Sequence, residues 1–374
     1  MTKPGVQDRT DWLDYADFGE RFVAHAVTRE RIEAALGMMT GQGVSIGPFV
    51  VGPAGLVAEG KVGKPVIARS GPGVVFEVQV PLSMHLTVTL AGQEFRIEAS
   101  AGVDLTLHAR TAAPLLVVID IPKVRPRNVS FTVRAQAIGA AVEVLLDPID
   151  TLIRREVAAR ANAIIDDPDA RRARVYDIEA IMNDVRSEHL SSTEFQWCDY
   201  EDFGRAFFPL IVTADRVREV VDGLAGREVE VGPLRTGPGD AATVQVLGTV
   251  RMPRLTRRPG DMPVSFDMVI PVVLALTVDM VKANRYRAYV EVALVLIARA
   301  ADPLLIVIDV DPPGPADVTV ALRSKGITAR VLGSVGKIKQ QIAVQVAGQI
   351  RAELADQQSR TIDVAARIDA ALAG

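Results

Sequence analysis

Every second position from Phe76 to Leu90 is apolar: Phe76, Val78, Val80, Leu82, Met84, Leu86, Val88 and Leu90, with Glu77, Gln79, Ser83, His85, Thr87 and Thr89 among the residues between. Side chains on a strand point alternately to opposite faces, so this run predicts one long strand, dry on one side and wet on the other. After Ala91-Gly92-Gln93-Glu94 the alternation restarts with Phe95, Ile97, Ala99, Val103, Leu105 and Leu107, and the pair predicts a hairpin. A strand of roughly 15 residues at about 3.3 Å each is about 50 Å long, nearly three times the usual length, and a sheet built from it must twist or curl. Pro81 removes one donor from the ladder and predicts an edge position or a bulge where the curl concentrates. Two shorter strands are predicted at Leu115 to Ile121 and Val129 to Ala135.

Elsewhere the apolar period is three and four. Phe18, Phe22, Val23 and Ala26, then Ile32, Ala35 and Leu36, predict two leading helices, the second entered at Thr28 and stopped by Gly41 and Gly43. Ile149, Leu152, Ile153, Val157, Ala161 and Ile164 predict a long closing helix whose single apolar stripe can cover the concave face of a curled sheet.

The whole order occurs twice. Trp12 and Asp14-Tyr15-Ala16-Asp17-Phe18-Gly19 recur at one constant offset as Trp197 and Asp199-Tyr200-Glu201-Asp202-Phe203-Gly204; Ile46-Gly47-Pro48 recurs as Val231-Gly232-Pro233. With a few inserted residues, Pro114-Leu115-Leu116-Val117-Val118-Ile119-Asp120 recurs as Pro303-Leu304-Leu305-Ile306-Val307-Ile308-Asp309, and Ile149, Ile153 and Val157 match Ile338, Ile342 and Val346. The predicted fold class is α+β: two tandem copies of a long, strongly curled antiparallel sheet wrapped on a long C-terminal helix, each preceded by N-terminal helices, with domains at 1–187 and 188–374.

The copies differ on one face. Gln79, Ser83 and His85 of the first become Val269, Val273 and Ala275, while Asp104, Thr106 and His108 become Ala293, Val295 and Ile297. A sheet apolar on both faces must be covered on both. Val269, Val273, Val295 and Ile297 are therefore predicted to form an interface, with a second copy of the chain or with a partner protein.

Composition narrows the function. Of 374 residues 49% are hydrophobic but only 5% aromatic, so the apolar mass is aliphatic. A formal net charge of -4 lacks the basic excess that binding a phosphate backbone requires, which argues against nucleic acid. One cysteine, Cys198, and four histidines give neither a disulfide nor a multi-ligand zinc framework. The start, with Lys3, Asp8, Asp11, Asp14 and Asp17 before any apolar stretch, predicts a cytoplasmic protein, and no apolar run approaches the roughly 20 residues of a spanning helix.

Catalytic motifs fail on context. Gly43-Val44-Ser45-Ile46-Gly47 matches a nucleophile elbow in letters, but Gly47-Pro48 leads into extended chain where a helix is required, which predicts a loop serine. Gly55 to Lys61 resembles a phosphate loop with Val62 where Ser or Thr is needed. His85 and His108 lie on the polar side of neighbouring strands and read as solvated histidines. Asp120 and Asp309 are either strand-end turn residues or polar groups at a ligand mouth.

The alternating runs Phe76 to Leu90 and Phe95 to Leu107, the Pro114 to Ile119 strand and the Ile149 to Ile164 helix, each with its copy, resemble the tubular lipid-binding superfamily. The disulfide of that superfamily's secreted members has no counterpart here. The resemblance implies that each sheet wraps its closing helix and holds acyl chains in the seam between them. No motif carries over residue by residue; the inward positions of sheet and helix expected to bind the ligand are Phe76, Val78, Val80, Leu86, Ile149, Ile153 and Val157 in the first copy, and Phe266, Ile270, Leu274, Ile338, Ile342 and Val346 in the second. The resemblance implies an acyl lipid or another hydrophobic small molecule as partner, transient membrane contact, no cofactor and no catalysis. Two alternatives stay open: an interaction scaffold with solid cores, and a helix-grip enzyme of the cyclase kind.

Overall fold

A computed structural model describes residues 11–37, 39–134, 144–183, 185, 187, 194–236, 242–260, 262–279, 284–323, 335–354 and 360–373. The long strand runs Val75–Leu90 and its partner Gln93–Ala112, paired antiparallel from Leu90 opposite Gln93 to Val75 opposite His108. Ala91 and Gly92 both have positive φ, 49° and 81°, which makes the connection a two-residue turn whose twist matches the strands it joins. Burial follows the alternation: Phe76, Val78, Leu82, Met84, Leu86 and Val88 are buried, and Glu77, Gln79, Ser83 and His85 are exposed. The second repeat builds the same hairpin from Ser265–Asp279 and Asn284–Ala301.

Pro81 is at neither an outer edge nor a bulge. Its pairing with Gly102 continues without a register shift. On its other side, Ala54–Val62 pairs as far as Leu82 and Val66–Arg69 takes over from Gln79. The N–H and C=O of one residue in an antiparallel strand point the same way. Because the Pro81 carbonyl accepts from Gly63 N at 2.7 Å, the missing N–H faces the break between these two flanking strands, where no acceptor is stranded. Pro271 repeats the device: Ala242–Val250 pairs as far as Val272, Arg254–Arg257 begins at Val269, and Arg251 N donates to the Pro271 carbonyl at 2.7 Å.

Three strands per repeat were not anticipated: Gly43–Val51, Ala54–Val62 and Val66–Arg69, and in the second Glu228–Thr236, Ala242–Val250 and Arg254–Arg257. Ala54–Val62 carries its buried alternation largely on alanine, with Ala54 and Ala58 on either side of Leu56, and so gives little signal. Gly43–Val51 hides its period behind a register shift between Ile46 and Phe49. Gly47 sits there at φ +106°, where an added Cβ would lie 2.8 Å from the Leu56 carbonyl, so neither the backbone nor the space accepts a side chain. Ser45 is consequently an exposed strand residue and not a loop serine. The strand predicted to reach Ala135 is seen as Val129–Arg134, and Ala135 lies outside the described residues.

Each sheet has nine described strands, all pairs antiparallel, and the fold is α+β with two strongly curled sheets in tandem, each with its own helices. The closing helices are Leu146–Ile165 and Val335–Leu354. In the first, Ile149, Ile153, Val157 and Ala158 pack in one apolar cluster with Ile46, Leu56, Leu86 and Phe131, while the expected stripe member Ile164 is exposed and Ile165 takes its place against the cluster. The helix end is tied down by Asn162, whose side chain bonds both the N–H (2.9 Å) and the carbonyl (2.8 Å) of Val124. Arg351 does the same work in the second repeat, donating to the Pro313 carbonyl at 2.8 Å.

The compact units differ from a simple cut at 187. One comprises Met1–Asp14 with Gly204–Val364, the other Tyr15–Phe203 with Ala365–Gly374. Trp12–Leu13 pairs with Ala300 and Ala301 of the second repeat, and Trp197–Cys198 pairs with Thr111 and Ala112 of the first. The short strand that opens each repeat in sequence thus completes the sheet of the other. Each is held the same way. Arg299 lies over the Trp12 ring at 4.1 Å and bonds Asp309 at 3.2 Å; Arg110 lies over the Trp197 ring at 3.9 Å and bonds Asp120 at 3.4 Å. Asp120 and Asp309 are accordingly neither turn formers nor mouth residues but orient the arginines that clamp the exchanged strands.

Candidate functional site

In the unit that contains the second repeat, the sheet and its closing helix do not meet everywhere. Between them lies a cavity of about 400 Å³, inside the range of roughly 300–1,000 Å³ typical of small-molecule sites. The strand Ser265–Asp279 supplies Met268, Ile270 and Val272, three successive inward positions, and Leu296 comes from the strand beside it. The closing helix contributes Val346 and Ile350, and the helix Ala214–Asp222 contributes Val217 and Val221. Ile308, Val310 and Ile362 complete the aliphatic wall.

The lining also has polar side chains. They are Arg216, Arg227, Glu228, Gln349, Glu353, Arg360 and Thr361. Arg227 is paired with Glu353. Arg216 directs its guanidinium to the carbonyls of Leu210 (3.2 Å) and Ile211 (3.1 Å), holding the end of the helix Tyr200–Ile211. Arg360 donates to the carbonyls of Ile308 (2.9 Å) and Leu354 (2.6 Å), bridging a strand and the end of the closing helix. Its Nε is buried with no acceptor among the described residues.

Of the residues assigned to ligand binding from sequence, Ile270 and Val346 line this cavity. Phe266, Leu274, Ile338 and Ile342 are buried in the same unit outside its lining. In the first repeat Leu86, Ile149, Ile153 and Val157 belong to the apolar cluster described above, with Val80 packed against it, and Phe76 and Val78 are buried. Met268, Val272 and Leu296 share the alternation that marked Ile270 and were legible as inward positions. Val217, Arg216 and Arg360 come from elements distant in sequence, and nothing in the chain's periodicity points to them. Val269, Val273, Val295 and Ile297 are half-buried on the opposite face, where Val273 pairs in register with the exposed Tyr289. The ion pairs Arg254–Glu291 (2.6 Å) and Arg258–Asp267 (2.8 Å) stand on that same face.

The other candidates do not assemble. His85 lies opposite Glu98 and His108 opposite Val75, many positions apart along the hairpin, so they do not approach each other. Among the described residues no group of three or more His, Cys, Asp or Glu is placed to hold a metal ion, and no helix is long and apolar enough to cross a membrane. Burial holds the Cys198 thiol above its ordinary pKa, which disfavours the reactive thiolate.

No family model and no curated protein matches the sequence. Solved structures similar to it include the following two. The crystal structure of lipopolysaccharide binding protein is 10% identical, with 90% of each chain covered and a TM-score of 0.31. That of P47 from Clostridium botulinum A2 is 8% identical, covering 89% of this chain and 84% of that one, with a TM-score of 0.27. The likeness is one of fold, which the strand pairing above describes on its own.

Proposed function

We propose that the protein binds an acyl lipid or a similar hydrophobic molecule, without chemistry, in the seam between curled sheet and closing helix. The observation that carries this reading is the aliphatic cavity of about 400 Å³ between Ile270 on the sheet and Val346 on the helix. Each methylene moved from water into such a lining is worth about 0.8 kcal/mol, so a chain of even eight carbons gains several kcal/mol before any polar contact. A methylene fills about the liquid volume of a water molecule, about 30 Å³, so the space accommodates on the order of a dozen of them. The three arginines of the lining are engaged in structure, Arg227 with Glu353 and Arg216 and Arg360 with backbone carbonyls, which supports a reading as a binding cavity.

Val272→Phe tests the reading by filling the cavity from its sheet side. Saturable fluorescence enhancement of cis-parinaric acid is expected with the unaltered chain and is expected to weaken at least tenfold in the variant, whose folding is checked by circular dichroism. Failure of the unaltered chain to bind the probe or any added acyl compound would contradict the proposal.

A further inference from the structure

Arg360 and Arg174 are equivalent: each immediately precedes the short strand that closes its sheet, Thr361–Asp363 or Val175–Asp177. Both send guanidinium N–H groups to a carbonyl at the end of the closing helix, Arg360 to Leu354 and Arg174 to Ile165 at 2.6 Å each. They differ at Nε. Arg174 donates it to the Ala170 carbonyl at 3.0 Å, whereas Arg360 Nε is buried with no acceptor among the described residues, and Arg360 lines the cavity. A buried donor left without a partner is costly, and more so on a charged group. The surrounding charge does not relieve it. The cavity has three arginines and two glutamates in its lining; Glu353 is taken by Arg227, and Glu228 is exposed to solvent.

Resting on the function proposed above, we infer that the ligand of the second repeat is a single-chain amphiphile with a carboxylate head, one oxygen of which accepts the hydrogen bond from Arg360 Nε. The volume suits one chain rather than two. A carboxylate supplies both the missing acceptor and the missing negative charge, and one free N–H calls for a single oxygen rather than a two-point clamp. The first repeat, whose Arg174 is already satisfied, has no such demand.

Equilibrium dialysis of the full chain against labelled dodecanoate and labelled dodecan-1-ol, both below their aggregation limits, separates head from tail. A hydrogen bond to a charged group leads us to expect dodecanoate to bind at least about tenfold more tightly than dodecan-1-ol. Arg360→Gln is expected to bring dodecanoate down to the alcohol's affinity, while Arg174→Gln leaves the preference in place. Equal affinities for acid and alcohol in the unaltered chain, or a preference that survives Arg360→Gln, would overturn the carboxylate assignment and leave hydrophobic binding standing. Binding of neither compound would overturn the proposed function itself. Should Arg360→Gln not fold, the acid and alcohol comparison in the unaltered chain decides.

Discussion

Replacing Ile342 by alanine is expected to weaken the surroundings of Trp12, which opens the other repeat in sequence but pairs into the sheet of the second. The chain has two tryptophans, Trp12 and Trp197, and each reports on one compact unit. In a Trp197→Phe background, fluorescence follows Trp12 alone. Ile342 is fully buried at 0% exposure, and truncating such a residue costs about 2–5 kcal/mol through lost transfer energy and the void left behind. With a urea slope of about 2–3 kcal/mol per molar, a loss of about 3 kcal/mol moves the Trp12 midpoint down by about 1 M. In the reciprocal Trp12→Phe background, the same substitution is expected to move the Trp197 midpoint by less. An unchanged Trp12 midpoint beside a lowered Trp197 midpoint would refute the exchange of opening strands.

Phenylalanine at two equivalent positions separates a cavity wall from a packed core: Val272→Phe is expected to cost less than 1 kcal/mol in urea titration, whereas Leu82→Phe, inside the apolar cluster of the first repeat, costs about 1–3 kcal/mol by overpacking. Gly19→Ala places a Cβ 2.1 Å from the Tyr200 carbonyl oxygen, so backbone must move, and a fall of several degrees in Tm is expected by differential scanning fluorimetry. Arg299→Ala removes the cation above Trp12, and the expected loss of about 0.5–1 kcal/mol should appear with a shift in the emission of that tryptophan. Because burial holds the Cys198 thiol above its ordinary pKa, its thiolate fraction at pH 8 is depressed; alkylation by iodoacetamide should be slower than for a free cysteine and should accelerate as pH rises toward 10.

The architecture was readable where side chains are large and the period is unbroken. Phe76 to Leu90 and the Ile149 stripe declare a strand and a helix because each inward position carries a bulky aliphatic or aromatic group. Ala54–Val62 alternates just as regularly, but an inward alanine looks much like an outward one, so the strand escaped notice. The two tryptophans mark the repeat plainly but not the sheet each one joins, since a pairing partner in the other repeat leaves no local trace. The site was legible to a similar degree. Ile270 and Val346 follow from periodicity, but a void depends on how well opposing surfaces meet, and Arg360 stands out through an Nε that, unlike that of Arg174, has no acceptor among the described residues.

The most direct measurement is native mass spectrometry of the purified protein, followed by organic extraction and identification of whatever is released. One acyl-bearing molecule per chain is expected, lost when Val272→Phe fills the cavity. Protein that is recovered empty, and stays empty after incubation with fatty acids and phospholipids, would contradict it.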